Sequence, residues 1–245
     1  MEAEQDTVKY INIAIDGLAG AGKSTLAQSL AKELVFLYFN TGSVYRALTA
    51  ECLAKKVDIN NGRAVYEALK NTIIDVIYKN GVPVVCINGK RIDEKLLRSE
   101  NISNATAIVA QIPEIRSKVR HVQHNIAANN NVVMEGRDIG TVVLPNADMK
   151  FFVQATVKSR ADRRFADLPI NEQSQECYDN IFKGIKQRDE YDKNRAVCPT
   201  KPAVGSINID TSDNTPEQTL EIVANRVRST LHLQTSTIKS SPLTA

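Results

Sequence analysis

Gly17-Leu18-Ala19-Gly20-Ala21-Gly22-Lys23-Ser24-Thr25 is the stretch whose reading decides the fold. Before it runs Lys9-Tyr10-Ile11-Asn12-Ile13-Ala14-Ile15-Asp16, apolar enough for a strand. After it, Leu26, Leu30, Ala31 and Leu34 mark one face of a helix ending near Leu34. Strand, glycine loop and helix in that order match G-x-x-x-x-G-K-[ST], the nucleotide-binding P-loop. The glycines permit backbone dihedrals that a Cβ blocks, so successive N–H groups can line a nest for an anion. The helix N-terminus adds unpaired N–H groups and the positive end of its dipole. Lys23 is expected to reach the β- and γ-phosphates, and Ser24 to place its hydroxyl on Mg²⁺. A plain glycine-rich turn would explain a glycine or two, but not the Lys-Ser-Thr run.

Composition sets the outer bounds. A chain of 245 residues suits one α/β domain with a small insertion. Hydrophobic residues at 42% and charged residues at 24% are ordinary for a globular protein. A net charge of +3 does not suggest a general nucleic-acid binder. No apolar run approaches the roughly 20 residues of a membrane span. Met1 to Lys9 is polar and acidic, which is no secretory signal, so a cytoplasmic location is expected. Cys52, Cys86, Cys177 and Cys198 are scattered and form no C-x-x-C pair; reduced thiols are expected and no zinc site is written. His121 and His124 share a helix face without a third ligand and read as surface residues.

Along the chain, residues 1–8 read as a loose leader and Val35 to Phe39 as a short second strand. Asn40-Thr41-Gly42-Ser43 then carries a helix-start signal. Strand, helix, strand, helix at this spacing predicts a parallel sheet with right-handed crossovers. Ligands of such sheets bind at the carboxyl ends of the strands. Thr41 and Arg46 fall there; beside a phosphate site Arg46 favours an anion contact over a solvated role. Thr72 to Tyr78 and Val82 to Asn88 alternate as antiparallel strands, with Lys79-Asn80-Gly81 as their turn and Asn88-Gly89 as a second hairpin signal.

Ser103 to Asn129 reads as helix interrupted at Pro113. Val132 to Glu135 reads as a buried strand ending in Gly136-Arg137-Asp138. Glu135 stands where a P-loop protein keeps an acid near Mg²⁺. Arg137 and Asp138 either pair with each other or bind substrate, and their place at the sheet edge favours substrate. Met149 to Gln154 is another strand. Lys158 to Asp167 and Asn171 to Asn194 form a basic helical pair. Arg160, Arg163 and Arg164 share one face of it, and Arg188, Asp192 and Arg195 form one stripe. Such a pair suits a lid that excludes water from phosphates, with Arg163 and Lys186 read as solvated. Ser206 to Asp210 is the last strand and Glu217 to Leu233 the closing helix. Gln234 to Ala245 is Ser/Thr-rich and reads as disordered.

Four segments together resemble the bacterial cytidylate kinases: the P-loop; Thr41-Gly42-Ser43-Val44-Tyr45-Arg46; Glu135 through Val143; and Arg188 through Val197. The similarity runs from about Ile11 to about Arg228, and the second pair of segments is more specific than the P-loop. It implies an α/β P-loop NTPase fold: a central parallel five-stranded sheet flanked by helices, a small antiparallel insertion for the nucleoside monophosphate, and a helical lid. The single kinase domain would span 1–233, with core 9–59, 101–155 and 203–233, insertion about 60–100 and lid about 156–202. By the resemblance, Gly17 to Thr25 binds ATP. Thr41 takes a usual Ser position, Arg46 a phosphate contact, Arg116 and Asp138 the cytosine. Arg137, Arg188 and Arg195 contact phosphates, and Asp192 reads the sugar hydroxyls. Lys23, Arg188 and Arg195 are the expected catalytic residues. Two positions depart from the family pattern. Ala107 falls where a Ser often touches the base, and Glu135 replaces a usual Asp.

The expected reaction is ATP plus CMP or dCMP giving ADP plus CDP or dCDP, with Mg²⁺, in a monomer. Kinases of the same fold acting on UMP, AMP or shikimate are the alternatives. A P-loop switch that uses ATP to change partners is a further rival, which would not call for an arginine lid with an embedded Asp. No Asn-Lys-x-Asp guanine-reading motif is present.

Overall fold

β1, Asn12–Gly17, is the central strand of the molecule, and it is buried on both faces because the sheet carries helices on each side. The computed structural model describes residues 9–79, 82–92, 97 and 99–233. The leader before Lys9, the Asn80-Gly81 turn and the tail from Gln234 lie outside the described residues. β1 pairs in parallel with β6, Val132–Glu135, on one side and β7, Met149–Gln154, on the other. β2, Leu37–Asn40, and β8, Ile207–Asp210, complete a five-stranded parallel sheet of order β2-β6-β1-β7-β8. This is the sheet the sequence predicts.

Alternate residues along each strand serve opposite cores. Ile13, Ile15, Val133 and Val153 pack against α1, Lys23–Leu34, and against Val223, Ala224 and Val227 of the last helix. Ala14, Phe39, Val132 and Met134 face the other way, into a second core with α2, Thr41–Ala54. A second sheet, antiparallel, is built from β3, Ile74–Lys79, β4, Val82–Ile87, and the two-residue β5, Lys90–Arg91. Val85 and Ile87 of β4 join that second core, so the antiparallel piece is packed onto the body.

Element boundaries shift from the sequence reading for local reasons. α1 begins at Lys23 rather than Leu26 because Gly22, at φ 82°, serves as its N-cap. β2 begins at Leu37 rather than Val35 because Val35 closes α1 in the left-handed region at φ 55°, its N–H reaching Ala31 O and Lys32 O. A short helix that the sequence reading lacks, α3, Gly62–Leu69, starts at Asn61, whose side chain accepts from Ala64 N at 3.1 Å. The helix expected over Ser103 to Asn129 is two helices, α4, Glu100–Val109, and α5, Pro113–Asn129, with Pro113 in the first turn of the second. The chain then runs through one π-helical turn, Ile139–Val143, and the helices α6, Val157–Ala166, and α7, Gln175–Asn194. It closes with α8, Pro216–Leu231, which starts with a Thr215–Gln218 capping box.

Candidate active site

The carboxyl ends of β1, β2 and β6 converge, and the charged residues singled out in the sequence gather there. At the end of β1 the chain must turn sharply under β7. Gly17 does so at φ 145°, where a Cβ would sit 1.9 Å from Val153 O. Leu18 N then bonds Val153 O at 3.1 Å and the loop runs into α1. Lys23 is buried at the first position of α1, with Nζ donating to Leu18 O at 2.6 Å. Burial and the nearby Arg137 guanidinium push its amine down to about 7, against the pull of Glu135 and Asp16. Such an amine lacks an adequate counter-charge, the condition that phosphate oxygens relieve. Ser24 and Thr25 are exposed on the first turn of the helix.

β2 delivers Tyr38 and Asn40 opposite Glu135 of β6, as the register Asn40↔Glu135 requires. Glu135 Oε1 accepts from the Tyr38 hydroxyl at 2.7 Å and from Asn40 Nδ2 at 2.8 Å. The Tyr38 hydroxyl in turn accepts from Asn40 Nδ2 at 3.3 Å. Thr41 is buried and donates to Glu135 O at 2.9 Å, and Asn40 Oδ1 caps α2 by accepting from Ser43 N. This close passage needs Gly136, where a Cβ would come within 2.8 Å of Thr41 Oγ1. Arg46, one turn into α2, donates to Ser43 Oγ at 3.1 Å.

Beyond Glu135 the two adjacent charges diverge. Asp138 pairs with buried Arg116 of α5, which also donates to Ala110 O at 3.0 Å and lies over the Tyr45 ring. Arg137 turns the other way, donating from Nη1 to Gly17 O at 2.7 Å and from Nε to Asp192 at 3.1 Å. The alternative in which Arg137 and Asp138 pair with each other is therefore not adopted. Asp192 of α7 also receives Arg188 Nε at 3.3 Å. Among the described residues, Asp192 Oδ1, Arg195 Nη2 and Arg116 Nε are buried without a hydrogen-bond partner. Orphaned polar atoms on these residues suit a polar ligand that completes them.

Two expectations about the basic helices need correction. Arg195 is not on the α7 stripe: the helix ends at Asn194, and Arg195 is extended at φ −61°, ψ 141°, its Nε donating to Cys198 O at 2.6 Å. Arg163 is not a solvated residue either. It donates to Thr211 O and Oγ1, and Thr211 Oγ1 donates to Ala21 O at 3.1 Å, tying α6 to the P-loop. Lys186 is exposed, as expected. Arg160 is fully buried, bidentate to Asp189 at 2.8 and 2.5 Å and donating to Ala19 O at 3.1 Å.

A sequence model of the cytidylate kinase family matches residues 13–229. The chain belongs to the cytidylate kinase family. Curated relatives named cytidylate kinase include one from Geobacillus sp. (strain WCH70), 42% identical over 221 residues, covering 89% of this chain and 98% of that protein. Another, from Caldanaerobacter subterraneus subsp. tengcongensis, is 40% identical over 218 residues, covering 89% and 95%. Among solved structures, a shikimate kinase from Bacteroides thetaiotaomicron aligns with a TM-score of 0.46 at 14% identity, covering 91% of this chain and 99% of that one. Family membership makes the protein a phosphotransferase, in agreement with the resemblance carried by the four segments.

Three residues of this site carry no role in the sequence reading, Asp16, Tyr38 and Asp189, and Asn40 is read there only as a helix start. Of the three, Asp16 has a local signal, an acid closing an otherwise apolar strand just before the P-loop. His121 and His124 remain on the surface, and no group of three or more metal-ligating side chains occurs among the described residues. No helix among them is long and apolar enough to cross a membrane. All four cysteines are free.

Proposed function

We infer that the protein transfers the γ-phosphoryl group of ATP to CMP and dCMP. The observation that carries this reading is the buried Arg116–Asp138 pair, held beside a P-loop by the Arg137–Gly17 bond. A guanidinium and a carboxylate together offer donors and an acceptor, the complement of the cytosine edge with its ring nitrogen, carbonyl and amino group. Gly17 to Thr25 would cradle the ATP phosphates, with Lys23 on their outer oxygens. Arg46 and Arg137 would hold the acceptor phosphate, and Asp192 the sugar hydroxyls.

Phosphoryl transfer spreads negative charge over the equatorial oxygens, so catalysis is alignment plus charge stabilisation. Arg188 and Arg195 would supply cations from the lid side, pre-oriented by Asp192 and by Cys198 O. Ser24, exposed on the first turn of α1, and Glu135, held by the Tyr38 hydroxyl and Asn40, present hard oxygen donors that would suit Mg²⁺. The chemistry such an ion supplies is charge neutralisation on the β- and γ-phosphates. We read residues about 60–100 as the monophosphate-binding insertion and about 156–202 as the lid of one domain, in a cytoplasmic monomer.

The test is coupled ADP release with ATP·Mg²⁺ and, separately, CMP, dCMP, UMP, AMP and shikimate. CMP and dCMP should give by far the highest kcat/KM. If UMP or AMP wins, the base-reading roles of Arg116 and Asp138 are wrong. If no acceptor lifts ADP release above slow hydrolysis, phosphoryl transfer to a nucleotide is wrong altogether.

A further inference from the structure

Asp16 is 2% exposed and the reaction as described gives it no task. Its two carboxylate oxygens each accept a backbone hydrogen bond from far along the chain, Ile139 N–H to Oδ1 and Gly140 N–H to Oδ2, both 2.7 Å. Those N–H groups open the π-helical turn 139–143. The residue at the head of a turn ordinarily caps it with its own side chain when it is an Asp. Asp138 holds that place and makes no such cap; its carboxylate is committed to Arg116 instead. Asp16 does the capping from across the sheet. The next residue, Gly17, reciprocates through its carbonyl, which accepts from Arg137 Nη1 at 2.7 Å. Three hydrogen bonds thus join Asp16-Gly17, the entry to the P-loop, to the segment 137–140.

We propose that Asp16 is a positioning residue for the acceptor nucleotide: by capping the 139–143 turn it leaves the Asp138 carboxylate to its pair with Arg116 at the base site and sets Arg137 in register with the P-loop. The inference rests on the assignment of Arg116 and Asp138 to the base. It differs from a plain packing role because the carboxylate is matched to donors on the acceptor side alone, while Lys23 Nζ, on the donor side, bonds Leu18 O instead.

The protonation state of Asp16 offers a second handle. Burial raises its pKa to about 6, Asp138 adds to the rise, and the two N–H bonds and Lys23 oppose it. Arg137 bonds the carbonyl of the adjacent Gly17, and the neighbour of Asp16 on β7 is the apolar Phe152. Above that value both oxygens accept. As pH falls through it, one oxygen takes a proton and one N–H loses its partner.

The experiment compares wild type with Asp16→Asn and Asp16→Ala. It reads KM for CMP, KM for ATP, the Kd of a fluorescent ATP analogue, and cytidine as a competitive inhibitor against CMP. Cytidine carries no phosphate to titrate. Loss of a charge-assisted bond predicts KM for CMP up by about tenfold or more, with the ATP constants within about threefold. In wild type the Ki of cytidine should rise as pH falls from about 7.5 to about 5.5, and in Asp16→Asn it should stay high and flat. CMP and ATP constants that move together, or neither moving, would overturn the proposal. If neither variant folds, the wild-type cytidine profile decides, and a flat one overturns it. A wild type that turns over no CMP would sink the functional reading as well, a failure visible without any variant.

Discussion

The Asp192 carboxylate is shared by two guanidiniums, Arg137 Nε at 3.1 Å and Arg188 Nε at 3.3 Å, both on its Oδ2. One arginine follows β6 and the other lies on α7, so a single buried acid joins the sheet edge to the basic helices. Like charges this close repel, and Asp192 is what lets both point into the same space. Arg137 is held down from its usual range by burial, with Arg188 and Arg195 adding to the effect and Asp192 opposing it.

Asp192→Asn should therefore act twice. Leaving the arginines short of a counter-charge should cut kcat/KM for CMP by about 2 kcal/mol or more, the scale for truncating a buried charge partner. The ratio of CMP to dCMP turnover should also shrink, because the buried Oδ1 is the atom without a partner. Steady-state kinetics on both nucleotides checks it; equal losses on the two would remove Asp192 from sugar recognition.

Lys23→Met should abolish turnover and raise the melting temperature of the nucleotide-free protein. The wild-type amine sits in a site that pushes its pKa down to about 7 from 10.5. The folded state therefore binds fewer protons than the unfolded state between those values. Stability of the free protein should rise with pH across that window, and this slope should be absent in Lys23→Met. Added ATP should lift the melting temperature of wild type but not of the variant. A variant with near-normal kcat would sink the assignment of Lys23.

Arg188→Ala should lower kcat by about 2–4 kcal/mol in transition-state terms, with a smaller effect on KM for ATP, as for loss of a preoriented donor. Arg188→Lys should recover little, since a point charge cannot copy the planar Nε–H donation to Asp192. Single-turnover measurements separate this loss from slower product release.

Arg160→Met should destabilise the fold by about 3–5 kcal/mol, because it strands Asp189 without its bidentate partner. The double variant Arg160→Met, Asp189→Leu should regain most of that loss by denaturant titration. Both should show a raised KM for ATP, since the Arg160 bond to Ala19 O of the P-loop is gone. An unchanged ATP constant would make the pair purely structural.

Much of this architecture was legible in local pattern. The P-loop, the apolar strands at β6 and β7 and the segment from Glu135 to Val143 are contiguous signals, each readable within a dozen residues. α3 was missed because a helix of eight residues buries only Val65 and Leu69, too short a stripe to set a period. The helix α7 ends at Asn194 as the sequence predicts; only Arg195 falls off its stripe, because the i, i+4, i+7 spacing continues through Arg195 while the helical backbone does not.

The sequence by itself determined the sheet, the phosphate loop, the family and which charged residues crowd the site. Tertiary structure alone decided who partners whom. Arg137 and Asp138 are neighbours in the chain, yet one reaches forward to Asp192 and the other back to Arg116. Asp16 finds its partners 123 and 124 residues away. Side chains of successive residues leaving a strand diverge to opposite sides, so adjacency in sequence separates them. The parallel crossovers bring together groups that no local pattern relates.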